Sequence, residues 1–114
     1  MHLEVLQTIS LNGNPNKPND DRCGSTAQLA WVIDGATDMG APGLLGKQGG
    51  AAWLASTASN AFGKSKGGSI QETCQAAFRQ IEEQFEIQRT RDVSAAWEIP
   101  KAAFGVAQVA DDTL

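Results

Sequence analysis

Four aspartates at the ends of predicted elements are the side chains of this 114-residue chain best suited to chemistry. Asp20 and Asp21 close a polar loop, Asp34 directly follows a predicted strand, and Asp38 comes slightly later. Carboxylates that share a cleft repel each other unless a cation compensates them. Oxygen ligands without histidine or cysteine favour magnesium, manganese or calcium, and the carbonyl of Gly35 can approach an ion closely because glycine lacks a Cβ. On spacing alone, solvated turn residues are the alternative.

Other catalytic chemistries find little support in the sequence. The only histidine is His2, so the chain cannot assemble a Ser-His-Asp triad or a Cys-His pair. A glycine-rich run ends in Lys47-Gln48, which lacks the Ser or Thr of a phosphate-binding loop. Cys23 and Cys74 belong to no CxxC pair, so we expect buried free thiols rather than a zinc site or a disulfide.

Composition limits the classes of partner. Nine Lys and Arg against thirteen Asp and Glu give a net charge of −4, with 41% hydrophobic and 19% charged residues. These values are typical of one globular domain spanning residues 1–114, without the cationic field that nucleic acid or an anionic membrane needs. No apolar run approaches the roughly 18–20 residues of a membrane span. Because the N-terminus lacks a signal-peptide pattern, the sequence predicts a cytoplasmic protein.

Strands and helices must position the aspartates. Alternating apolar residues predict a strand over residues 3–11, and a nearly continuous apolar run predicts a strand covered on both faces over 27–33. Between them lies a polar loop over residues 12–21, which includes two prolines. Apolar residues spaced by three or four predict a helix over 51–62, with Gly63 as its left-handed stop.

The second half of the chain predicts one more helix and one more strand. Ser69 and Glu72 form a capping-box pattern, and an apolar helical face follows it: Ile70, Cys74, Ala77, Phe78, Ile81 and Phe85. A strand is predicted over residues 102–110 and a turn over 111–113. That strand reaches a turn without its hairpin partner, so we expect a truncated domain whose exposed strand edge invites pairing with another copy.

The order of these elements resembles the amino-terminal part of the metal-dependent (type 2C, PPM) protein Ser/Thr phosphatases. The resemblance is carried by Asn-Asp-Asp-Arg at 19–22, by Val-Ile-Asp-Gly at 32–35 and by a helix that opens with Gly-Gly-Ala-Ala at 49–52. It spans most of the chain, although its specific motifs are short. It implies an α+β fold, a partial and truncated α-β-β-α sandwich of two antiparallel sheets flanked by helices.

The resemblance also implies a metal-dependent hydrolase that removes phosphate from serine or threonine of a phosphorylated protein substrate. Asp21, Asp34 and the Gly35 carbonyl would be metal ligands for two Mn²⁺ or Mg²⁺ ions, and Asp20 would reach the second ion through water. Such ions activate a water and clamp the phosphoryl group, so no protein nucleophile is needed. Further metal-binding aspartates of the family lie in a carboxy-terminal half that this chain lacks, so we expect the chain alone to be a poor or inactive catalyst.

Two positions depart from the family's pattern. Asn16 stands where an arginine often holds the phosphate, with Lys17 as the nearest cation, and the phosphate-binding residue is therefore unknown. Ala36 stands where many members carry histidine. These departures leave open a pseudophosphatase or interaction domain that uses the fold without catalysis, and a metal-free α/β binding module is a third alternative.

Overall fold

The computed structural model describes residues 19–36, 43–47 and 49–109. The predicted strand over 3–11, Asn16, Lys17, Asp38 and the turn over 111–113 lie outside these ranges. The described residues form an α+β fold with one antiparallel sheet of three strands and two helices. In chain order the elements are β1 (Asp21–Ser25), β2 (Leu29–Gly35), α1 (Gly50–Gly63), α2 (Ile70–Gln88), a short 3₁₀ turn (Ala96–Glu98) and β3 (Ala102–Gln108).

The central strand β2 organises the sheet, whose order is β1-β2-β3 with both pairs antiparallel. Its side chains alternate, since Leu29, Trp31 and Ile33 are buried whereas Val32 and Asp34 are exposed. The described residues therefore cover this strand on one face, and they do not include the cover that the sequence predicts for its other face. The sequence does not show this alternation because the exposed residue between Trp31 and Ile33 is the apolar Val32.

Strand β1 is not predicted from the sequence, where Asp21 closes the predicted polar loop over residues 12–21. Its residues Asp-Arg-Cys-Gly-Ser show no apolar alternation, and they form a strand because all five pair with β2. Gly24 contributes by leaving room for an aromatic ring. A Cβ at this position would lie 2.5 Å from Cζ2 of Trp31, so the indole can cover the strand only where no side chain stands.

Helix α1 packs against the inner face of the sheet and confirms the predicted helix. Ala55, Ala58 and Phe62 join Trp31 and Ile33 in one buried cluster. The predicted left-handed stop at Gly63 is wrong, because the helix runs through this glycine, which does not adopt a positive φ. The next amide, that of Lys64, still donates to carbonyls of the last turn, which keeps the chain right-handed there.

Helix α2 confirms the second predicted helix and its capping box. Ser69 Oγ accepts a hydrogen bond from the Glu72 amide at 3.1 Å, and Glu72 Oε1 accepts one from the Ser69 amide at 3.3 Å. The helix packs mainly on α1 and buries Ala77 against it, whereas Phe78 is 43% exposed. Neither described helix combines the length and apolarity needed to cross a bilayer.

The two cysteines are free thiols, as predicted, but they are less buried than expected. Cys23 is exposed because it pairs with Val32 on the uncovered face of the sheet. Cys74 is half-buried on α2, and burial raises the pKa of its thiol. The exposure of each thiol therefore follows from its place in the fold, Cys23 on the open sheet face and Cys74 on α2.

Candidate functional site

Asp21 and Asp34 lie directly opposite each other on neighbouring strands. Asp21 opens β1, Asp34 is the penultimate residue of β2, and the two are paired in the antiparallel register. Side chains of directly paired residues project to the same face, with Cβ atoms about 4.5–5.5 Å apart. Both residues are exposed. The structure thus brings together two of the predicted metal ligands on the sheet face that the helices leave open.

The buried side of the sheet fixes where these carboxylates point. Trp31 and Ile33 face α1, so Asp34, the residue after Ile33, must face the other way, as Val32 does. Trp31 is held in place by a hydrogen bond from its Nε1 to Ser59 Oγ of α1, 2.9 Å long. A register slip of one residue would turn Asp34 into the core, which burial of an unpaired charge strongly disfavours. The packing of Trp31 and Ile33 against α1 therefore determines that Asp34 faces Asp21 on the open side of the sheet.

The turn before β1 is tied together by Arg22. Its Nη1 donates to the carbonyl oxygens of Asn19 and Asp21, both at 3.0 Å, and Asn19 Oδ1 accepts from the Asp21 amide at 3.0 Å. Asp20 is exposed just outside the strand, and its carbonyl oxygen accepts a hydrogen bond of 3.0 Å from the Gly35 amide. The backbone of Asp20 is thus brought to the end of β2 beside Asp34.

Position 35 requires glycine because the backbones of Asp20 and Ala51 approach it closely. A Cβ built there would overlap the carbonyl oxygen of Asp20 and lie 3.0 Å from the carbonyl oxygen of Ala51 in the first turn of α1. Only glycine lets β2, the Asp20 turn and α1 meet at this point. The sequence predicts a role for the Gly35 carbonyl, but it gives no sign of this packing role.

The residues present match the chemistry of a hard divalent cation in part. Magnesium and manganese prefer carboxylate, carbonyl and water oxygens, and they bind six of them in octahedral geometry. Asp21 and Asp34 supply two carboxylates in register, but the described ranges contain no group of three or more His, Cys, Asp or Glu placed to hold an ion. The described pair therefore fits one part of a ligand shell, and the remaining ligands would have to come from water or from residues outside those ranges.

Lys101 lies at the same end of the sheet and was not singled out from the sequence. Its carbonyl oxygen accepts a 2.9 Å hydrogen bond from the amide of Ala36, which extends the β2–β3 pairing by one step beyond Gly35 and Ala102. Ala36 is exposed and stands where many type 2C phosphatases carry histidine. The only sequence signal for Lys101 was its place between Pro100 and the predicted strand.

An apolar groove of about 440 Å³ opens on the helix side of the sheet, between α2 and the start of β3. Its aromatic lining is Trp53, Phe62, Phe78, Phe85 and Phe104. The charged residues Glu82 and Lys101 lie on its border. Because the groove depends on contacts between distant elements, the sequence pattern did not reveal it. Nothing in the described part of the chain shows what covers it.

Comparison with known proteins adds no relative. No family model, curated protein or solved structure matches this chain. The likeness to type 2C phosphatases is therefore carried by the short motifs around Asp21 and Asp34 and by the order of the elements.

Proposed function

We propose that the chain is the amino-terminal portion of a metal-dependent phosphomonoester hydrolase of the type 2C kind, acting in the cytoplasm on phosphoserine and phosphothreonine in proteins. The observation that carries the proposal is the direct pairing of Asp21 with Asp34 on an exposed sheet face. Two carboxylates set directly opposite each other repel, and a bound cation would compensate that repulsion. A divalent ion is the compensating partner that hard oxygen ligands select.

In this proposal two carboxylates would bind the metal directly and a third would act through water. Asp21 and Asp34 would hold Mn²⁺ or Mg²⁺ together with the carbonyl of Gly35, and Asp20 would assist through water. Bound ions of this kind supply an activated water and positive charge for a phosphoryl group. The protein's own contribution is position: paired strands fix the two carboxylates, and the Arg22 hydrogen bonds hold the turn that carries Asp20.

The two-sheet form of the fold belongs to the same proposal. Val32 is 61% exposed at the centre of the open face, and its partner on β3 is Gly105. Uncovered apolar surface on a sheet is what a second packed sheet buries in a sandwich. We infer that the second sheet of the complete domain packs on this face, beside the carboxylate pair.

Metal uptake provides the direct test. Calorimetric titration of the purified chain with MnCl₂ should show binding that is lost in Asp21→Asn and Asp34→Asn. Glu83→Gln is the matched control, since it neutralises an exposed carboxylate on α2, far from the pair in sequence. Manganese-dependent hydrolysis of an aryl phosphate should be lost in Asp34→Asn of any form of the protein that shows it. Absence of Mn²⁺ binding, or equal binding by Asp34→Asn, would contradict the proposal.

The second candidate is an interaction domain that keeps the fold without catalysis. Ala36 favours it, because this exposed residue offers no proton donor beside Asp34 and Gly35. The calorimetric titration separates the two candidates, since a non-catalytic domain of this kind would take up no Mn²⁺ and would show no hydrolysis under any metal.

A further inference from the structure

The outer edge of β3 lacks the features that keep edge strands apart. β3 pairs with β2 along its whole length, from Ala102 to Gln108, and no described residue pairs with its other edge. The seven residues Ala-Ala-Phe-Gly-Val-Ala-Gln include no charged residue and no proline, and the register with β2 runs without a bulge. Edge strands usually carry one of these devices because an uncovered edge recruits another strand.

The strand is also complementary to itself. Gly105 is its middle residue, so a two-fold axis through Gly105 would pair Phe104 with Val106 and Ala103 with Ala107 of the second copy. Phe104 is 47% exposed and packs against Phe62 and Phe78 on the helix side of the sheet. Aromatic and β-branched side chains are favourable cross-strand partners, and no like charges meet along the contact. The outer edge would gain a full set of backbone hydrogen bonds.

We propose that a second copy of this chain pairs with β3 in antiparallel orientation about Gly105, joining two three-stranded sheets into one continuous sheet. The contact is isologous, so it closes as a dimer and does not propagate. It uses the strand at the opposite edge from β1 and needs no metal. The inference is therefore independent of the proposed hydrolase function, and its test is carried out in EDTA.

A charged residue at position 105 tests the contact directly, because the two copies of this residue would face each other across the two-fold axis. A Cβ at this position would meet only Cγ2 of Val32, at 3.5 Å, which is ordinary contact, so the single chain accommodates a side chain. In the proposed dimer, Gly105→Lys sets two ammonium groups opposite each other. Sedimentation velocity over a concentration series should show a dimer for the unaltered chain and, for Gly105→Lys and Gly105→Asp, dissociation constants raised by about tenfold or more.

Mixing the two charged variants is the decisive measurement. Gly105→Lys and Gly105→Asp together should form a mixed dimer, because opposite charges then face each other, and this recovery also shows that both variants are folded. Val32→Lys is the matched control: it places the same charge on the open face, one strand further in, and should leave the dimer intact. A monomeric unaltered chain, an undiminished dimer in Gly105→Lys, or loss of the dimer in Val32→Lys would overturn the edge contact.

Discussion

Asp21, at the start of β1, and Asp34, next to the end of β2, are direct cross-strand partners, with both carboxylates on the sheet face opposite the helices. Like charges directly opposite each other destabilise an antiparallel pair. The same arrangement that costs stability without a cation therefore gains stability when one is bound.

The first prediction follows from this opposite effect of the carboxylate pair on stability without and with a bound cation. Asp34→Asn should stabilise the chain in EDTA by about 0.2–1 kcal/mol because the repulsion is removed. The same substitution should abolish the rise in melting temperature that Mn²⁺ gives the unaltered chain. Thermal unfolding with EDTA and with MnCl₂ measures both effects. A variant that is less stable in EDTA and still responds to Mn²⁺ would show that the pair is held by something other than a cation.

The second prediction concerns the close approach at Gly35. Gly35→Ala should destabilise the chain by about 1–3 kcal/mol, because the new methyl group would overlap the Asp20 carbonyl and crowd that of Ala51. Gly105→Ala is the matched control, since its methyl group would meet Val32 at an ordinary distance of 3.5 Å. Urea unfolding gives the two free energies. Equal values for both variants would mean that the backbone at Gly35 has room to shift.

Sequence patterns within a few residues predict both helices. Strand β1 and the carboxylate pair depend on pairing between distant residues, which such patterns do not show. The start of α2 was predictable because Ser69 and Glu72 lie within one turn and satisfy each other. β1 was not, since its polar residues become a strand only through pairing with β2. Asp21 and Asp34 were each identifiable from a short motif, but their pairing follows from a register that the packing of Trp31 and Ile33 decides.

The third prediction isolates the hydrogen bond that anchors the buried Trp31. Ser59→Ala removes the acceptor of the indole Nε1, and an unsatisfied N–H in a residue only 6% exposed costs about 1–3 kcal/mol. Ser56→Ala is the matched control: it lies on the same helix and its Oγ donates only to a carbonyl of that helix, Trp53 O. Both variants gain the same helix propensity, so the difference between their free energies of unfolding reports the Trp31 contact. A difference near zero would mean that water replaces Ser59.

The loop between α2 and β3 is held by Glu98, whose side chain is 5% exposed. Oε1 accepts from Arg91 Nη2 at 2.9 Å, and Oε2 accepts from the amide of Ser94 at 2.8 Å, from its Oγ at 2.9 Å and from the amide of Ala95 at 3.3 Å. The Arg91 hydrogen bond, followed by those from Ser94, lowers the pKa of Glu98 from an ordinary 4.5 to about 2. The folded state therefore prefers the ionised carboxylate.

The fourth prediction is the pH dependence that this preference causes. Because the pKa is lower in the folded state than in the unfolded state, the stabilisation is complete above about pH 4.5 and is lost as the pH falls towards about 2. Glu98→Gln should therefore be less stable than the unaltered chain at pH 7. The difference between their free energies of unfolding should shrink as the pH falls from about 4.5 to about 2. Urea unfolding along a pH series measures it, with Glu83→Gln reporting the effect of removing one exposed negative charge. A difference between Glu98→Gln and the unaltered chain that stays constant from pH 7 to pH 2 would show that the loop is held by the shape of the side chain and not by its charge.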